Sequence, residues 1–221
     1  MTFSILARDP ETGAIGGAAA TGSLCVGGWV LRGDLAAGMS ASQGVAPSTL
    51  WGEDVLHRMR NGAGAEQAVD RITSADKGRD YRQLAALDLS GRTGVFTGAS
   101  NEPERGSLRF ADGVVSGNML ASTGVLDAMA DHYLHTKGGF DHRLLSALHA
   151  AAREGGDYRG LLSAALLVLH PDKPPLTLRI DYHPDDPIGA LRDLHVRATT
   201  GAYATWTAQV PTARDRQRIL D

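Results

Sequence analysis

The sequence predicts an α+β fold in which two buried β-sheets lie face to face with helices on both outer faces. Three observations support this. Strand-like and helix-like patterning alternates along the chain in the order strands, helices, strands, helices, strands, without an internal repeat. The strand at residues 14–20, Ala-Ile-Gly-Gly-Ala-Ala-Ala, is small and apolar on both faces, which suits a strand covered by a layer on each side. No linker is long enough to divide the 221 residues, so a single domain over 1–221 is expected, with 198–221 as a C-terminal extension.

Each element follows from local chemistry. Residues 1–8, Met-Thr-Phe-Ser-Ile-Leu-Ala-Arg, are the first strand. Asp9-Pro10-Glu11-Thr12-Gly13 is hairpin chemistry, with Pro presetting φ and Gly supplying a positive φ, and residues 14–20 return as a central strand. Residues 22–31 and 35–43 are expected as two further strands joined through Arg32-Gly33-Asp34. Pro47-Ser48 offers a helix cap, and Leu50, Trp51, Val55, Leu56 and Met59 form an apolar stripe that stops at Asn61-Gly62. A shorter helix covers 65–72, and strands cover 81–89 and 93–97 around a turn at Ser90-Gly91. Residues 108–111 and 114–115 pair through Asp112-Gly113 and lead into Ser116-Gly117-Asn118-Met119, expected to link a strand to a helix. Helices are expected at 125–130, 144–153 and 186–196, and strands at 163–170 and 176–180.

Composition narrows the function classes. A net charge of -3 without a block of like charge argues against nucleic acid as a partner, and gives no membrane-surface signal. No window approaches the roughly 18 apolar residues of a membrane span, and no basic region precedes an apolar run near residue 1. One cysteine, Cys25, excludes an internal disulfide and a thiolate metal cluster, which fits a reducing cytoplasm. Cys25 itself is expected as a small core residue on a buried strand.

Chemistry centres on Thr2. If Met1 is removed, Thr2 carries a hydroxyl and an α-amine on one residue. An α-amine has an unperturbed pKa of about 7.7 to 8.0, so a neutral fraction near pH 7 can take the hydroxyl proton. The plainer reading makes Thr2 the start of an edge strand. The hairpin brings Thr2 near Thr21 and Ser23, whose hydroxyls either contact the amine or serve as ordinary turn residues. Backbone N–H groups around Gly117 and the Asn118 amide are candidates for an oxyanion site, or for a turn closed by Asn118. Asp157 and Arg159, in the Gly-rich stretch Gly155-Gly156-Asp157-Tyr158-Arg159-Gly160, either orient a nucleophile or bind a substrate carboxylate, or pair with each other. Of the eight histidines, His132 with His135 and His142 with His149 have helical spacing, but no HExxH or carboxylate-supported pattern accompanies them. They are read as solvated helix-face residues, and no metal or cofactor is assigned. Neither a phosphate loop nor a GxSxG elbow is present.

Residues 1–13, then Gly117-Asn118-Met119-Leu120, Gly156-Asp157-Tyr158-Arg159-Gly160, residues 163–168 and residues 178–184 together resemble the bacterial domain-of-unknown-function family 1028. The resemblance implies the N-terminal-nucleophile (Ntn) hydrolase-like fold, a four-layer αββα sandwich. Proteasome β-type subunits are similar in layout, and the analogy implies Thr2 as nucleophile, Asn118 near the amine or oxyanion, and Asp157 supporting the amine. Where other members carry Gln-Ser-Lys-Phe this chain has Ala20-Thr21-Gly22-Ser23, so the basic residue is missing and Arg32 is a loose substitute.

Two functions of different class are therefore expected. The first is a cytoplasmic Ntn hydrolase that cleaves a non-peptide C-N amide bond in a small molecule, with Thr2, Asn118 and Asp157 catalytic and Ser23 and Arg159 binding substrate. The second is a non-catalytic module on the same fold that binds a small anion through Arg159 and backbone amides near Asn118. The partner in both is a small molecule, and a homo-oligomer, a dimer, is expected because self-association is common in this fold.

Overall fold

The computed structural model describes residues 2–102 and 104–220. β1 (Thr2–Arg8) and β2 (Ile15–Thr21) form the expected hairpin, with Gly13 at φ 72 and the Asp9 carboxylate accepting from Thr12 Oγ1 at 2.7 Å. The chain then differs from expectation. Residues from Val26 wind into a short helix, α1 (Val26–Trp29), and the next strands are β3 (Leu31–Asp34) and β4 (Gly38–Gln43). Arg32, Gly33 and Asp34 are thus in a strand, and the turn follows them, closed by Ala36 N–H donating to Asp34 Oδ1 at 2.8 Å. Gly27 and Gly28 explain the change. They bring no side chain to a sheet face, and Gly27 lies so close to neighbouring strands that a Cβ would stand 2.8 Å from Ala165 and Arg179. Cys25 is a partly exposed residue at φ 59 ahead of α1, instead of a core residue on a strand.

The remaining elements are α2 (Thr49–Arg60), α3 (Ala65–Ser74), β5 (Gln83–Asp88), β6 (Thr93–Thr97), β7 (Glu104–Phe110) and β8 (Gly113–Leu120). After them come α4 (Gly124–His135), α5 (Phe140–Arg153), β9 (Ser163–His170), β10 (Lys173–Ile180), α6 (Pro187–Thr199) and α7 (Gly201–Thr207). Ser48, which the sequence marks as a cap, caps α2 by accepting from Trp51 N–H, and Asp186 caps α6 by accepting from Gly189 N–H. Ser116, Gly117 and Asn118 belong to β8 itself, not to a strand–helix link. Pairing with β1 keeps them extended until Met119 turns to φ 54.

Two antiparallel sheets result. One is six-stranded in the order β10-β9-β2-β1-β8-β7, and the other is four-stranded in the order β3-β4-β5-β6. Alternation along β1 sorts its side chains into two layers. Phe3, Ile5 and Ala7 join a core with α4, α5 and α6, including Met129, Leu144, Leu148 and Leu191. Leu6 points the other way and packs with Ile15, Ala19, Leu31, Met39, Ala85 and Leu87 between the sheets. The outer face of the smaller sheet is covered by α2 and α3 through Trp51, Val55, Ala68 and Val69 on Leu84 and Ala86. Each sheet therefore has its partner on one face and helices on the other, as an α+β class requires.

The C-terminal segment is tied to this body. His195 Nε2 lies 2.7 Å from Asp141 Oδ2, pinning α6 to the first turn of α5, and Arg214 Nη1 donates to Asp172 Oδ2 at 2.7 Å. The hydrogen bond with His195 holds the Asp141 carboxyl below its usual pKa, outweighing burial.

Two expectations follow from this packing. Leu6→Ala removes a fully buried side chain from the layer between the sheets and should cost about 2 to 5 kcal/mol, read from the shift in urea midpoint. Because the Asp141 pKa is depressed on folding, its contribution to stability is present above the unfolded carboxyl pKa and is lost as pH falls through the folded one. Asp141→Asn should therefore lower the melting temperature near about pH 5, and the gap to the parent should close by about pH 2.

Candidate functional site

The first residue of β1 sits in a transverse row of polar side chains. Thr2 is in register with Asn118 on β8, Thr21 is in register with Ser163 on β9, and Phe3 lies opposite Ala20. Thr2 and Thr21 are thus the next pair in their ladder, and Thr2 Oγ1 donates to Thr21 Oγ1 at 3.3 Å. The row Ser163, Thr21, Thr2, Asn118 crosses four adjacent strands, and all four residues are buried. Met1, whose removal would free the Thr2 amine, lies outside the described residues.

The alternation that sends Leu6 between the sheets sends Thr2 and Ser4 there too, and on β8 the same face carries Ser116 and Asn118. The opposing sheet supplies Gln43 and Gln83. Gln83 Nε2 donates toward Thr97 Oγ1 at 2.8 Å and the carbonyls of Gly106 and Gly117 at 2.9 Å each. Gln83 Oε1 accepts from Gln43 Nε2 at 2.7 Å and Asn118 Nδ2 at 3.1 Å, and Gln43 Nε2 also approaches the Thr2 carbonyl at 3.5 Å. Asn118 Oδ1 and Gln43 Oε1 remain buried without a hydrogen-bond partner, as does Ser4 Oγ.

That pattern decides what Asn118 can do. One N–H of its amide goes to Gln83, and the atom left without a partner is the acceptor Oδ1. An acceptor cannot stabilise an oxyanion, whereas it can receive hydrogen bonds from an ammonium group. Of the two roles expected for Asn118, an oxyanion site needs a donor, and its unpartnered atom is an acceptor.

Asp157 is brought to the same end of the sheet by a bridge to Leu120, two residues beyond Asn118. Its Oδ2 accepts from Gly22 N–H at 2.6 Å and Arg159 Nη2 at 3.0 Å, and its Oδ1 from Arg159 N–H at 2.8 Å and Nε at 3.2 Å. Hydrogen bonding to this carboxylate raises the Arg159 pKa, against burial. The pair clamps the turn after β2, where a Cβ on Gly22 would meet Asp157 Oδ2 at 2.7 Å. Arg159 Nη2 also reaches Ser23 Oγ at 3.4 Å, and both residues are exposed at the rim. Among the described residues Asp157 makes no hydrogen bond to Thr2 and is connected to it only through Gly22 and the neighbouring Thr21. Arg32 serves elsewhere. It bonds Glu53 and the carbonyls of Trp29 and Gly28.

His132, His135 and His142 are exposed on helix faces, and His149 is half-buried. Among the described residues no group of three or more His, Cys, Asp or Glu side chains is placed to hold a metal ion. Gln43 and Gln83 are the residues that sequence reasoning missed. Their signal is alternation: Met39, Ala41, Gln43 and Gln83, Ala85, Leu87 put a glutamine on the face that carries the sheet's inner apolar residues.

Comparison with known proteins agrees with the extent of this architecture. No curated protein matches the chain. Among solved structures, the crystal structure of a protein from Silicibacter pomeroyi, described as belonging to DUF1028, is 64% identical. It superposes with a TM-score of 0.96 over 100% of this chain and 99% of that one. The model of the family of unknown function DUF1028 matches residues 2–191, from the buried Thr2 through β10 into α6, and the chain belongs to that family.

Proposed function

We propose that this chain is an Ntn hydrolase that cleaves a non-peptide C–N amide bond of a small molecule, on an Ntn-hydrolase-like αββα sandwich. The observation that carries the reading is the unpartnered, fully buried Asn118 Oδ1 in register with Thr2. Burying a carbonyl oxygen without a donor costs about 1 to 3 kcal/mol, and a free Thr2 α-ammonium supplies donors at that place.

Cleavage of the Met1–Thr2 peptide bond frees the amine. In its neutral form the amine takes the proton from Thr2 Oγ1, and the oxygen attacks the substrate carbonyl. The resulting ammonium gives the proton to the leaving nitrogen as the C–N bond breaks, which leaves the acyl group as an ester on Thr2. Water, deprotonated by the same amine, then hydrolyses the ester. Thr21 orients the hydroxyl through the 3.3 Å contact, Asn118 receives the ammonium, and Asp157 holds the turn that carries Thr21. Ser23 and Arg159 line the approach. The small-anion binding alternative relies on Arg159, whose Nε and Nη2 are already bonded to Asp157, and this favours the hydrolase.

Intact-mass measurement of the protein from its native host should show Met1 absent. In a screen of small amide substrates, Thr2→Ala should then reduce turnover by at least about a thousandfold while Thr2→Ser retains it in part, since loss of a nucleophile removes the covalent route altogether. Retained Met1, or unchanged turnover in Thr2→Ala, would sink the reading.

A further inference from the structure

We propose that Gln83, which does not touch Thr2, is the positioning residue that turns the carbonyl oxygen of Asn118 toward the Thr2 amine and thereby sets that amine's basicity; the proposal rests on the hydrolase reading. A buried carboxamide has two orientations, and neighbours choose between them. For Gln83 the choice is forced. The carbonyls of Gly106 and Gly117 only accept, and both lie 2.9 Å from the same atom, so that atom is Nε2. Oε1 is then the atom facing Gln43 and Asn118, and each must present its amide nitrogen, at 2.7 and 3.1 Å.

This sequence of constraints ends in two oxygens. With both nitrogens turned to Gln83, Asn118 and Gln43 are left with buried, unpartnered acceptors on the face that Thr2 shares. Gln83 itself cannot rotate in compensation, because Nε2 is engaged with β6, β7 and β8 and Oε1 with β4 and β8. An acceptor beside the amine favours the charged form and so favours proton uptake from Oγ1. A reversed Asn118 would aim N–H groups at the amine and oppose it.

The test compares Gln83→Met, which keeps the length and removes both hydrogen-bonding ends, with the parent protein. The readout is the pKa of the Thr2 amine, from the pH dependence of its acylation by trace acetic anhydride, quantified on the N-terminal peptide by mass spectrometry. In Gln83→Met the amine should become a roughly tenfold stronger acid than in the parent. A folded Gln83→Met with an unchanged amine pKa overturns the positioning role and leaves the hydrolase reading standing. An N-terminal peptide that still carries Met1 overturns the hydrolase reading and this proposal with it. If Gln83→Met does not fold, the parent protein decides by hydrogen exchange of the Asn118 side-chain amide: protection supports the assignment, and exchange as fast as an exposed carboxamide overturns it.

Discussion

β1 is the strand on which the molecule depends. It is hydrogen-bonded along one edge to β2 and along the other to β8, and its two faces enter two different cores. A strand held on four sides has no freedom to shift register, because a slip of one residue would send Phe3 and Ile5 to the polar layer and Thr2 to the helices. The position of Thr2 is therefore as well determined as that of any core residue, although it stands at the strand's first position.

The layer between the sheets changes character along its length. At one end Leu6, Ile15, Leu31, Met39 and Leu87 make an ordinary apolar contact. At the other, Thr2, Ser4, Ser116, Asn118, Gln43 and Gln83 are buried polar groups contributed by both sheets. Most of their hydrogen-bonding capacity is used, with Ser116 Oγ 2.8 Å from Ser107 Oγ and Gln83 bonded at both ends. A few acceptors are left over on the face that Thr2 shares. Buried polar networks that stop short of full satisfaction are uncommon in cores and concentrate where a ligand or a reacting group completes them.

Around that end the structure spends charge on shape. The Asp157 carboxylate, its side chain fully buried, gathers the Gly22 amide and three Arg159 donors into one clamp on the turn after β2. Asn101 does similar work on the opposite side. Its side chain accepts from Val45 N–H and donates to the carbonyls of Asp80, Arg82 and Gly98, while its own carbonyl receives Met119 N–H at 3.2 Å. These loops hold the ends of β2, β4, β5 and β8 together, so the residues of the site cannot drift apart independently.

Much of this was readable beforehand. The hairpin at Asp9-Pro10-Glu11-Thr12-Gly13, the capped helices after Ser48 and Asp186, and the apolar strands at β2 and β9 follow from local turn chemistry and periodicity, which act within a few residues. Thr2 stands out in the sequence because nucleophile and base can sit on one residue, a property of the sequence itself. The sequence alone could not decide what Asn118 offers or that Gln43 and Gln83 matter. Those answers depend on which atoms meet across two sheets, between residues 35 or more positions apart such as Gln83 and Asn118. A hydrogen bond that short in space and that long in sequence is set by how the sheets stack, so the orientation of one buried amide belongs to the tertiary structure.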